Sequence, residues 1–205
     1  MQQIALEMGL ERAVFDDFDP QFALLKANLG MWIGSALGAP DIQSRLNLLS
    51  FQLELGIRAG MISLPDRFRA VKSTGYARRL VYQDEASGVS ALAMVWAPGQ
   101  STPLHDHAGL WGVEAVLSGE IESVPHRLFA EENGKYYFQA LAPERLAAGT
   151  TSHLRPPFEH HITRNVSDEV AITLNIYGGS MPACNVFLPT GFGAYVRQRR
   201  ALACE

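Results

Sequence analysis

From Pro65 onward the chain is punctuated too closely for helices. Runs rich in Val, Leu, Ile, Tyr and Trp cover residues 76–83, 88–97, 111–124, 135–141, 161–165 and 170–177, with turn-forming residues at 84–88, 97–103 and 131–134. Short strands this close together, with no helical periodicity between them, suggest an antiparallel sandwich or barrel. No internal repeat and no low-complexity tract interrupts them. Before Pro65 the texture differs. From about residue 2 to 62 apolar residues recur at helical spacing, as in Phe22, Leu25, Leu29 and Ile33 and again in Leu46, Leu49, Leu53 and Ile57, and Asp41 after Pro40 is placed to cap the second run. The expected organisation is one structural domain, with a helical segment at 1–64 packed on a β unit at 65–205 or against a second subunit.

Composition narrows the partners. Seventeen Lys and Arg against twenty-one Asp and Glu give a formal net charge of −4, and the basic residues are scattered apart from Arg197, Arg199 and Arg200, which read as a solvated helix or tail. Nucleic acid is therefore not an expected partner. The two cysteines, Cys184 and Cys204, cannot build a disulfide framework or a four-sulfur zinc site within one chain, which suits a reducing compartment. The opening MQQIALEMGLE has no basic stretch followed by an apolar core, and no apolar run approaches membrane-spanning length. The expectation is a soluble cytoplasmic protein.

Two segments carry candidate chemistry. In Gly99-Gln-Ser-Thr-Pro-Leu-His105-Asp-His107 the histidines are two residues apart, so on a strand both imidazoles point to one face and can reach one metal ion. About fifty residues later comes Pro156-Pro157-Phe158-Glu159-His160-His161-Ile162-Thr163-Arg164-Asn165. Together these resemble the two motifs of the cupin family. The first motif is matched by Gly99, His105, His107 and Gly119, the second by Pro156, His161 and Asn165, and the likeness covers roughly residues 75 to 190. It implies a mainly β fold, a double-stranded β-helix or jelly-roll barrel, with the N-terminal helices packed outside and with His105, His107 and His161 as metal ligands. Most metal cupins add a Glu ligand where this chain has Gly112, and Phe158 replaces the Gly of the second motif.

Within cupins the chain is similar to cysteine dioxygenases and their bacterial thiol dioxygenase relatives, which lack that Glu and hold ferrous iron with three histidines. The resemblance implies Fe(2+) as cofactor, and O2 and a small thiol carboxylate as substrates. Residues 76–81 look like the family's substrate-binding strand, which makes Arg78 the clamp for the carboxylate. Residues 174–178 look like the strand carrying its active-site tyrosine, here Tyr177. A guanidinium suits a carboxylate because its planar fork stays charged when desolvated. The cysteine that crosslinks to the tyrosine in animal members is absent, its place taken by Gly112, and the family's Ser-x-His-x-Tyr relay is replaced by Thr173, Asn175 and Tyr177. Relatives preferring 3-mercaptopropionate carry Gln in place of Arg78, which favours cysteine or a dicarboxylate thiol such as mercaptosuccinate. A non-catalytic metal- or ligand-binding cupin is the alternative from another class.

His160 and Arg79 should face away from His161 and Arg78 by strand alternation, His126 and His153 read as surface or hydrogen-bonded loop residues, and Asp106 reads as structural. Cys184 reads as a buried inert thiol, and Trp111 is a candidate pocket wall through its nearness to His107. The N-terminal helices could also serve a homo-oligomer interface.

Overall fold

The computed structural model describes residues 19–204. Helix α1 (Pro20–Leu37) begins at Asp19, whose carboxylate accepts from the amides of Gln21 and Phe22; helix α2 (Ile42–Arg58) begins at Asp41, which accepts from the Ser44 amide. Each cap satisfies N–H groups that the first helical turn leaves without partners. Phe22, Leu25, Leu29, Ile33, Leu46, Leu49 and Leu53 are buried, as their helical spacing requires. The part of the helical expectation before residue 19 lies outside the described residues.

The strands are β1 (Ala77–Gln83), β2 (Ser90–Trp96), β3 (Leu104–His105), β4 (Gly112–Ser118), β5 (Glu120–Glu132), β6 (Lys135–Ala140), β7 (Glu144–Ala147), β8 (Thr151–Leu154), β9 (His161–Asn165), β10 (Ala171–Tyr177), β11 (Ala183–Gly191) and β12 (Ala194–Ala201). They form an antiparallel five-stranded sheet, β1-β2-β10-β4-β8, and a seven-stranded one, β6-β12-β11-β3-β9-β5-β7, in which β6 also pairs with β5. The architecture is the cupin double-stranded β-helix with helices outside. Among the described residues no helix is long and apolar enough to cross a membrane.

Alternation along the central strands divides the interior in two. Ala91, Ala93 and Val95 of β2, Val113 and Ala115 of β4 and Ile172, Leu174 and Ile176 of β10 turn outward and pack against the helices. Their alternates Leu92, Met94, Trp96, Val116 and Tyr177 turn inward, towards the second sheet. Strands β2 and β10 are consequently buried along their whole length, which is why they read as continuous apolar runs. Polar ties fasten α2 to β8: Ser50 Oγ lies 2.7 Å from His153 Nε2, and Thr151 Oγ1 donates to Glu54 at 2.8 Å.

Three expectations are corrected here. Residues 111–124 make two strands, because Gly119, at φ 73°, turns the chain between β4 and β5 where a Cβ would sit 2.8 Å from Ala171 Cα. Arg197, Arg199 and Arg200 lie on β12, paired along β11, and not in a helix or free tail. His126 and His153 belong to β5 and β8 rather than to loops.

Candidate active site

The barrel brings three imidazoles together from distant parts of the chain. His105 on β3 pairs in register with His161 on β9, and His107 follows from the loop after β3. Their ring centroids are 4.8 to 4.9 Å apart, and one ring nitrogen from each lies within 4.8 Å of the others. The opposite nitrogens are tethered: His105 Nδ1 donates to the Pro103 carbonyl at 3.1 Å, His107 Nδ1 donates to the Glu159 carbonyl at 2.9 Å, and His161 Nδ1 lies 3.0 Å from Ser123 Oγ. A carbonyl only accepts, so His105 and His107 carry their proton on Nδ1 and keep a lone pair on Nε2. Burial holds the rings neutral, lowering His105 to about 4 and His107 and His161 well below the usual histidine value, with neighbouring imidazoles adding to the effect. Neutral, converging nitrogens with anchored far sides fit a metal ion. Glu114 and the other described acids and cysteines do not join this group.

His160 turns the other way and packs between Phe138 and Phe187, at 5.2 and 5.4 Å. Asp106 accepts from Asn185 N and Nδ2 at 2.9 and 2.7 Å and so ties the His105–His107 loop to β11.

The imidazoles open onto a chamber walled by Tyr76, Arg78, Met94, Trp96, Glu114, Asn175, Tyr177, Met181, Cys184 and Leu202. Tyr76 stacks on Trp96 at 4.4 Å. Arg78 is 6% exposed; Nη2 donates to the Met181 carbonyl at 3.2 Å, Nη1 to Cys204 Sγ at 2.8 Å, and Nε has no partner. Among the described residues no carboxylate pairs with this guanidinium. Arg79, its strand neighbour, faces away and donates to the Ala70 carbonyl at 2.7 Å. Leu80, two residues further along β1, is 41% exposed next to a register shift in that strand.

Tyr177 is buried, stacks on His107 at 5.8 Å and accepts from Asn175 Nδ2 at 3.2 Å. Burial, reinforced by Glu114, pushes its phenol further above the usual value, so it remains protonated near neutral pH. Gly112 lies opposite it in register, where a Cβ would come within 3.1 Å of Tyr177 Cδ1 and 2.9 Å of the Ile176 carbonyl. Thr173, at the head of the replaced relay, accepts from Trp96 Nε1 at 3.3 Å. Burial raises the Cys184 thiol and favours its protonated form.

Trp111 does not wall the chamber. With Gly112 facing inward its neighbour must face outward, and Trp111 packs with the helix-side core under the Arg45 guanidinium, 5.4 Å from the ring. Sequence reasoning missed Glu114. Two residues beyond Gly112 on β4, it shares Gly112's inward face, is 2% exposed, and has its carboxyl pushed up to about 7 by burial despite hydrogen bonds from Asn175 and Ser152.

Among solved structures, the chain is similar to an uncharacterized conserved protein with a double-stranded beta-helix domain from Klebsiella pneumoniae, at 21% identity over 58% of this chain and 91% of that one, with a TM-score of 0.44. It is similar to an oxalate oxidase crystallised with the substrate analogue glycolate, at 21% identity over 58% and 59% of the two chains and a TM-score of 0.42. The cupin domain of Cnp3 from Schizosaccharomyces pombe matches at 11% identity over 58% and 74%, with a TM-score of 0.43. The family model for cysteine dioxygenase type I matches residues 64–189, a span that runs from the segment before β1 into β11 and takes in every imidazole of the cluster, Arg78 and Tyr177. With more than half of its length matched in this way, the chain belongs to the cysteine dioxygenase type I family.

Proposed function

We propose that this protein is a non-haem iron thiol dioxygenase that oxidises the sulfur of a small thiol carboxylate to a sulfinate with O2. The observation that carries the reading is a buried guanidinium that no carboxylate of the described residues pairs with, in the chamber onto which the three neutral imidazoles converge. Family membership supports the dioxygenase class. His105, His107 and His161 would hold ferrous iron, which when bound would supply a Lewis-acidic, redox-active centre at which a thiolate and O2 can react, with no net electron drawn from the metal. A thiolate and O2 together contain every atom and electron of a sulfinate, so no external reductant enters.

The remaining roles belong to the chain. Arg78 binds the substrate carboxylate through its fork, replacing neutral partners by a charged one. Tyr177 accepts from Asn175, so its own O–H proton is free to donate into the chamber, and its raised pKa keeps that proton in place. Met94, Trp96, Met181 and Leu202 line the walls with apolar surface that excludes water and strengthens both interactions.

Loading the protein with iron under anaerobic conditions and screening thiols by oxygen consumption and product mass tests the proposal. The expected result is uptake requiring both iron and a thiol acid, with two oxygen atoms added to the product. Iron binding with no thiol-dependent uptake refutes it in favour of a non-catalytic metal-binding cupin.

A further inference from the structure

The chamber is closed as it stands. Its walls leave about 20 Å³ of free volume, room for about one water molecule, and a thiol acid the size of cysteine is several times larger. A cavity of about 180 Å³ lies beside it and reaches solvent at Thr74, Ser101 and Arg200, all exposed. Tyr76, Thr102, His105, Cys184 and Leu202 border both spaces and form the partition between them.

Most of the partition is fixed. His105 and Cys184 belong to β3 and β11, and the Tyr76 ring is stacked on Trp96. Thr102 is tied to Thr163 in both directions, its amide donating at 2.9 Å and its Oγ1 accepting at 3.0 Å. Leu202 differs. β12 ends one residue before it, at the pair of Ala201 with Ala183, so the chain beyond lies outside the sheet. There the Leu202 amide donates to the Pro182 carbonyl at 2.8 Å, and Cys204, itself exposed, accepts from Arg78 Nη1 at 2.8 Å. A chain end that leaves the sheet and finishes exposed opens at low free-energy cost. Its last contact falls on the guanidinium that a carboxylate needs.

We propose that residues 202–204 form a strap that gates the chamber: Leu202 blocks the way from the outer cavity to the imidazoles, Cys204 fastens the strap to Arg78, and substrate enters once the strap swings out about Ala201. This rests on the thiol dioxygenase reading. The substrate carboxylate takes the place of the Cys204 sulfur on Nη1, so the ligand that needs the opening also displaces the fastening. Opening then precedes binding. Only the open fraction of molecules takes up ligand, and the apparent affinity is lowered by that fraction.

The test follows cysteine binding to the iron-loaded protein without oxygen, by stopped-flow absorbance for the rate and by calorimetry for the affinity. It compares the wild type with Cys204→Ala, Cys204→Ser and a chain ended at Ala201. In the wild type the rate should level off as cysteine is raised, at the rate of opening. In the shortened chain it should keep rising with concentration and pass the wild-type plateau by about tenfold or more. Cys204→Ala should tighten binding by about tenfold, as expected for losing a competing hydrogen bond to a charged group. Cys204→Ser keeps an acceptor for Arg78 and should tighten it less. A tail that only braced the fold would weaken binding when altered. Unchanged or weaker binding in Cys204→Ala, or a wild-type rate that rises linearly to the values of the shortened chain, would overturn the gate while leaving the dioxygenase reading intact. The affinity comparison holds even if the shortened chain does not fold. Absence of oxygen uptake with every thiol overturns the dioxygenase reading, and this inference with it.

Discussion

Replacing Arg78 with alanine removes a side chain whose partners among the described residues are a backbone carbonyl and a thiol, neither of them a carboxylate. The cost to the fold is correspondingly limited. Two such hydrogen bonds contribute about 1–3 kcal/mol together, and deleting a buried charge with no counter-ion among the described residues offsets part of it. The cost to catalysis is larger, because a desolvated carboxylate would lose its charged partner. Truncating one side of a buried hydrogen-bonded charge pair costs about 2–5 kcal/mol, which corresponds to a fall in kcat/KM of about 30-fold to several thousandfold. Iron content should remain near normal, since no imidazole contacts the side chain. The assay is oxygen uptake by the iron-loaded protein with cysteine and with cysteamine, which lacks the carboxylate. Cysteamine should be a poor substrate of the wild type and lose little further in Arg78→Ala. Arg79→Ala serves as the control, since its guanidinium bonds to the Ala70 carbonyl on the other side of β1. An equal or larger loss in Arg79→Ala, or cysteamine turning over as well as the thiol acids, would refute the assignment.

His161→Ala should lose most bound iron and His160→Ala should retain it, as measured by metal analysis after loading, because only the first ring joins the cluster. In the metal-free protein Glu114 makes stability fall as pH rises. Its carboxyl is raised from 4.5 to about 7, so the folded state holds a proton that the unfolded state releases above 4.5, and a contribution of about 3 kcal/mol present at low pH is lost by about pH 7. Because the buried imidazoles act in the opposite sense, the wild-type-minus-Glu114→Gln difference in urea stability isolates this slope, and a flat difference contradicts it. Intact mass should equal that of the unmodified chain, since Gly112 offers Tyr177 no sulfur; a loss of two hydrogens localised to Tyr177 would contradict this.

Much of the site was legible because its signals are local. The histidines sit in motifs whose spacing survives folding, Arg78 and Tyr177 lie on strands with strong β grammar, and the helix faces follow from residues such as Leu25 and Leu49. What escaped depends on pairing. β3 is two residues long and exists through its neighbours β11 and β9; β7 and β12 are largely exposed, so their sequences show neither an apolar run nor a clean alternation. Cys204 reaches Arg78 across 126 residues of sequence, with nothing local to announce it. Trp111 was misplaced by counting proximity to His107 along the chain, when its parity relative to Gly112 decides its direction. Glu114 was overlooked because its meaning comes from Asn175 and Ser152 on adjacent strands, a juxtaposition created by sheet order alone.

The tethered imidazoles have a consequence for how the site fills. An exposed histidine near neutral pH is protonated part of the time, and a metal ion must then displace that proton into the buffer. At His105, His107 and His161 burial has already removed it, and the carbonyls of Pro103 and Glu159 fix two of the rings with Nε2 bare. Metal uptake at neutral pH should therefore be nearly proton-silent: the same heat in buffers of different ionisation enthalpy, and an affinity that the imidazoles leave flat with pH until the medium is acid enough to reprotonate them.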